Sequence, residues 1–145
     1  MKVNEWMSPD PVTVAPDVTV IKARQLLESH RFRHLPVLDG NRVIGMVSDR
    51  DVGINHAALI AAVRARDVEA LIDDERTVES VMSAPVLVVD VDASVSEAAR
   101  LLLSRRISAL PVVDEDRALV GIITSVDCLL ATLELTRTRH ATDRI

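Results

Sequence analysis

Two four-residue stretches carry the residue types with the most chemistry in them: Ser48-Asp49-Arg50-Asp51 and Thr124-Ser125-Val126-Asp127. A hydroxyl and a carboxylate three residues apart, ahead of an apolar run, is a helix-capping pattern. The same spacing suits a second use. A helix N-terminus presents free N–H groups and the positive end of the dipole, which fit phosphate. A hydroxyl there can donate to a phosphate oxygen. A carboxylate one turn in can accept both hydroxyls of a ribose 2′,3′-diol. Local sequence leaves both readings open.

Other chemistry is sparse. The one cysteine, Cys128, sits in Cys128-Leu129-Leu130 and reads as a small buried hydrophobe with no matched base for nucleophilic catalysis. Of His30, His34, His56 and His140 only His30 and His34 are near one another, and with no CxxC in the chain that single HxxxH spacing supplies two ligands where a metal site needs more. The absence of GxxxxGK[S/T] and GxGxxG loops counts against a nucleotide hydrolase or a dinucleotide oxidoreductase. No cofactor, metal or catalytic residue is therefore expected.

The chain has 145 residues, 48% hydrophobic and 27% charged, enough to bury a core without disulfides or metal clips. A net charge of −5 argues against nucleic acid, and with only Trp6 and Phe32 as aromatics there is no platform for stacking bases. Trp6 reads as a core residue. No apolar stretch approaches the ~18 residues of a membrane span, and Met1–Trp6 lacks the apolar core of a secretory signal. A single cysteine fits a reducing compartment. The expectation is a cytoplasmic protein.

The elements that must position the two motifs come from an internal repeat. Met7-Ser8 and Leu35-Pro36-Val37 recur 75 residues later as Met82-Ser83 and Leu110-Pro111-Val112. Thirteen of the 33 positions aligned between Trp6–Leu38 and Val81–Val113 are identical, far above chance, so the chain is a duplication. After a one-residue insertion near Asp114, Gly45 matches Gly121 and Asp51 matches Asp127. Each copy predicts a short strand (Val12–Val14, Leu87–Val89), a helix, a second strand (Leu35–Leu38, Leu110–Val113), a third strand (Arg42–Val47, Ala118–Ile123) and a second helix. Thr19 caps the first helix of copy one. Ser94 with Glu97 caps that of copy two, where Val95, Ala98, Ala99, Leu102 and Leu103 share one face. Short helices precede both copies (Val3–Met7, Thr77–Met82). In copy one the last helix runs on through Ala57–Arg66 with a break around Asp67. The fold class is α+β: two tandem β-α-β-β-α repeats, at residues 1–70 and 71–145. The two apolar sheet faces are expected to pack together with pseudo-twofold symmetry.

The ordered set resembles the cystathionine-β-synthase (CBS) domain pair: Met-Ser, then Leu-Pro-Val, then Gly-x-x-[Ser/Thr]-x-x-Asp at Gly45–Asp51 and Gly121–Asp127. The resemblance implies a regulatory, non-catalytic module that binds adenine nucleotides or other adenosyl compounds, forms a homodimer and acts on a separate, unidentified protein. It further implies that each site combines the Ser/Thr-x-x-Asp segment of one copy with the early strands of the other. The Asp127 site would then contain Thr124, Ser125, Arg33, His34, Pro11, Val12 and Thr13. The Asp51 site would contain Ser48, Arg50, Val86, Leu87, Val88, Ser108 and Ala109. With Arg33 and His34 replaced by Ser108 and Ala109, the Asp51 site is the poorer for phosphate. The alternative is a purely structural dimerisation module that binds no ligand.

Overall fold

The structure is a computed structural model that describes residues 1–53, 56–67 and 75–142. In chain order its strands are β1 (Ser8–Pro9), β2 (His34–Asp39), β3 (Arg42–Ser48), β4 (Val89–Asp90), β5 (Ala109–Val113) and β6 (Leu119–Thr124). Its helices are α1 (Val20–His30), α2 (His56–Ala65), α3 (Val78–Val81), α4 (Val95–Arg105) and α5 (Ser125–Thr142), with a 3-10 turn at Val3–Glu5. The class is α+β, as the repeat implies.

Two compact units emerge, and they are not the halves of the sequence. One is Met1–Pro11 with Leu87–Ile145; the other is Val12–Val86. The leading Met-Ser segment of each repeat has joined the sheet of the other repeat. Ser8 and Pro9 pair antiparallel with Ile122 and Gly121 of β6. Ser83 bridges Met46 of β3, with Met46 N–H donating to Ser83 O at 3.1 Å and Ser83 N–H to Met46 O at 2.9 Å. The division at residue 70/71 expected from the repeat itself falls outside the described residues.

In the first unit the sheet order is β1-β6-β5-β4, with β4 parallel to β5. The second unit has the β2-β3 hairpin, to which Val14 adds a parallel bridge at Val37. The predicted first strands thus shrink to Val14 and to Val89–Asp90, because the prolines and loop residues before them offer no ladder. Gly40, at φ +59, closes the β2-β3 turn in a conformation that suits glycine.

Helix ends follow their caps. Thr19 Oγ1 accepts from Lys22 N–H at 3.2 Å, and Ser94 Oγ from Glu97 N–H at 3.1 Å. Both α1 and α4 stop at an arginine in the left-handed region, Arg31 (φ 54°) and Arg106 (φ 54°). The amide two residues past the last turn closes back in each case, Phe32 N–H to Leu27 O at 2.9 Å and Ile107 N–H to Leu102 O at 3.1 Å.

Each unit has its own core. One gathers Val89, Val95, Ala98, Leu102, Leu110, Val112, Ile123, Cys128 and Ala131, with Trp6 packed partly buried against it. The other gathers Val14, Val20, Ala23, Leu27, Leu35, Val37, Val47, Val52 and Val78. Leu103, expected on the inward face of α4, points outward instead; Val95, Ala98 and Leu102 already fill the stripe that the sheet can cover.

Candidate functional site

The two hydroxyl–carboxylate motifs adopt nearly the same geometry. Asp127 Oδ2 accepts from Thr124 N–H at 2.7 Å and from the Thr124 hydroxyl at 2.8 Å, while Asp127 N–H donates back to Thr124 Oγ1 at 3.3 Å. Asp51 Oδ2 accepts from Ser48 N–H at 2.7 Å and from the Ser48 hydroxyl at 2.9 Å, and Asp51 N–H returns to Ser48 Oγ at 3.4 Å. Every bond that either carboxylate makes among the described residues uses Oδ2. Oδ1 of each half-buried aspartate is left as an acceptor.

The capping reading and the ligand reading are therefore compatible, since they draw on different oxygens. One expected role changes. The Ser48 and Thr124 hydroxyl protons are committed to the aspartates, so in this arrangement neither hydroxyl has a proton to give a phosphate. In the first unit the Ser125 hydroxyl stands at the start of α5. Its amide is already engaged, donating to Ser108 O at 3.0 Å.

The motifs diverge after the aspartate. α5 runs unbroken from Ser125, whereas Asp49–Gly53 forms turns and the described part of α2 is His56–Ala65. Gly53 occupies the position of Leu129, and a glycine is a poor continuation for a single helical turn. Arg24 Nε donates to Val52 O at 2.7 Å and ties the turn to α1.

The remaining expected site residues divide between the units. Thr124, Ser125, Asp127, Pro11, Leu87, Val88, Ser108 and Ala109 belong to one; Ser48, Arg50, Asp51, Val12, Thr13, Arg33, His34 and Val86 belong to the other. Within a unit the second strand starts opposite the motif, with His34 registered on Ser48 and Ala109 on Thr124. Arg33 O accepts from Asp49 N–H at 3.0 Å, as Ser108 O does from Ser125. His34 is held below its ordinary pKa, first by burial; Asp49 opposes this, Arg33 adds to it and Asp51 opposes it. Burial, with Asp127 beside it, pushes the Cys128 thiol up, as suits the packed hydrophobe expected there. Phe32 is exposed and stacks on His30 at 5.3 Å.

Sequence reasoning missed a second role for the Met-Ser and Gly pairs. A Cβ on Gly121 would overlap the Met7 sulfur and lie 3.0 Å from Ser8 O. A Cβ on Gly45 would meet Met82 and lie 3.1 Å from Ser83 O. The signal was present in the sequence, because both members of each pair recur in the repeat, but nothing in it says which copy pairs with which.

A family model described as the CBS domain matches residues 3–52 and 78–134. The inosine-5′-monophosphate dehydrogenase of Methanocaldococcus jannaschii is 33% identical over 128 residues, which is 88% of this chain but only 23% of that enzyme. Among solved structures, CBSX2 of Arabidopsis thaliana in complex with AMP is similar at 32% identity and a TM-score of 0.72, covering 93% of this chain and 98% of that one. The CBS domain pair of protein MJ0100, in complex with 5′-methylthioadenosine and S-adenosyl-L-methionine, is similar at 26% identity and a TM-score of 0.72, covering 94% and 98%.

Proposed function

Because the chain belongs to the CBS domain family and carries the repeat twice, we propose that it is a regulatory module that binds an adenine nucleotide or another adenosyl compound. In this reading it catalyses nothing itself and passes the binding event to a separate protein. The observation that carries the reading is the matched pair Asp51 and Asp127, each pinned through Oδ2 with Oδ1 left to accept. A carboxylate so fixed is prepaid in conformational entropy and can take the two neighbouring hydroxyls of a ribose. The adenosyl ligands of the similar CBS pairs support the ligand class.

In this reading Thr124 and Ser125 work with Asp127, and Ser48 and Arg50 with Asp51. The basic pair Arg33 and His34, expected for the Asp127 site, stands across from Ser48 in the Asp51 unit and favours a phosphorylated ligand there, so the reading ranks neither site above the other. The protein works as a cytoplasmic homodimer. Ligand control of a partner needs unequal contacts with two states and has a usual scale of about 1–3 kcal/mol.

Thermal melts with AMP, ADP, ATP, S-adenosylmethionine and NAD test the proposal. At a hundredfold excess over Kd a true ligand adds ~2.7 kcal/mol, a clear rise in Tm. Asp127→Ala removes a charged hydrogen bond of about 1.5–3 kcal/mol and should weaken binding roughly 10- to 100-fold by calorimetry. No shift with any of the five compounds would leave only a structural module.

A further inference from the structure

The duplication places two aspartate motifs in one chain and so shows what each needs to stay in place. In the second repeat the carbonyl just after Asp127, that of Cys128, lies inside α5, and the Thr132 hydroxyl one turn on donates to it at 2.9 Å. In the first repeat the equivalent carbonyl is that of Val52, one residue past Asp51, where the chain forms turns. The amides of this segment pair backward: Asp51 N–H to Ser48 O at 3.1 Å, Val52 N–H to Ser48 O at 3.3 Å and Gly53 N–H to Arg50 O at 3.3 Å. The Val52 carbonyl is met by a side chain instead. Arg24, in the second turn of α1, donates its Nε–H to it at 2.7 Å.

That bond is short, half-buried and charge-assisted, the stronger kind of hydrogen bond. The Val52 side chain is anchored too, 1% exposed in the core that also holds Ala23 and Leu27 of α1. A carbonyl left without a partner in such surroundings is costly. The second repeat supplies the comparison. Arg24 stands where that repeat has Ala99, which has no side-chain donor, and there the carbonyl after the aspartate finds its partner within α5.

We propose that Arg24 is the positioning residue of the Asp51 site. It acts through Val52. Ser48 holds the Asp51 carboxylate from one side and Arg24 holds the next residue from the other, so Oδ1 keeps one direction. The Asp127 site has no such dependence, because α5 fixes that aspartate from within its own helix. Since the donor is Nε, the site requires of Arg24 an N–H at that depth rather than a charge at the tip. The consequence for binding rests on the ligand reading above; the hold on the turn stands apart from it.

Hydrogen exchange by mass spectrometry and AMP titration by calorimetry, both on the full chain, test the two parts separately. Arg24→Met keeps the apolar stem and removes the donor. Arg24→Gln sets an amide nitrogen where Nε stood. In Arg24→Met the amides of residues 49–53 should exchange at least about tenfold faster than in wild type, while those of 125–129 stay unchanged; Arg24→Gln should remain within about threefold of wild type. In an Asp127→Ala background, which leaves the Asp51 site to be read, Arg24→Met should weaken AMP about tenfold and Arg24→Gln should restore most of the affinity. In an Asp51→Ala background, Arg24→Met should change AMP affinity by less than about twofold. Should Arg24→Met fail to fold, Arg24→Lys, whose ammonium sits one bond farther out, should show the same local change to a smaller degree. A wild type that binds no AMP would overturn the ligand reading, while faster exchange at 49–53 would still uphold the hold of Arg24 on the turn. Unchanged exchange at 49–53, a rise shared equally by 125–129, an equal loss of AMP in both backgrounds, or an Arg24→Gln protein no better than Arg24→Met would each overturn the proposal.

Discussion

Asp51 and Asp127 hold their own backbones with one oxygen and leave the other available, so substitutions should separate the two jobs. Asp51 accepts the two hydrogen bonds that close the turn after β3, and Asp51→Ala should lower the stability of the ligand-free protein in urea by about 1–3 kcal/mol. A stability equal to wild type would mean that the Ser48 bonds contribute nothing. His34 gives a pH signature. Burial holds its pKa below the usual value, so folding favours the neutral ring. The stability that comes from keeping it neutral is present above about pH 6.5 and is lost as the pH falls toward the lower folded-state value. His34→Gln should therefore flatten the decline in stability between roughly pH 7 and pH 5, followed by urea melts at each pH. Parallel slopes in the two proteins would remove His34 as the cause.

Element by element, the caps and the repeat were legible because they depend on neighbours in sequence. Thr19, Ser94 and Thr124 cap helices as their spacing implied, whereas Ser48 makes the same bonds to Asp51 ahead of a turn. Two features were not legible. Helical period alone placed Leu103 inside, since period says which residues share a side and not how much of that side the sheet covers. The Met-Ser leaders looked like the start of their own repeats, because two near-identical copies give a strand no local reason to choose one over the other. Gly121→Ala tests the exchanged leader. The added methyl meets Met7 and the Ser8 carbonyl, and overpacking should cost about 1–3 kcal/mol. Met7→Ala in the same chain should recover part of that loss, a coupling visible in a double-mutant cycle. At Arg31, in the left-handed region, glycine removes strain, and Arg31→Gly should raise stability by roughly 0.5–1 kcal/mol.

For the whole molecule, the compact units redraw the boundaries suggested by the duplication. Residues 12–86 are continuous in sequence and contain α3 and Ser83, which complete the β2-β3 sheet. A fragment of those residues should melt more cooperatively than one of residues 1–70, which lacks both; circular dichroism of the two would decide it. The candidate site was only half legible for the same reason. The motif around each aspartate is local and readable, whereas the companions expected for it lie in distant segments and follow from the family resemblance rather than from spacing.

The exchanged leader also sets an order of events at the ribosome. Residues 1–11 are made long before their pairing partner β6, which follows every other strand of the described residues. At ordinary elongation speeds the leader waits on the order of ten seconds while the unit behind it is already complete. Nascent chains stalled before β6 should thus carry Met7 open to protease and chaperone, and emergence of β6 from the ribosome should close it.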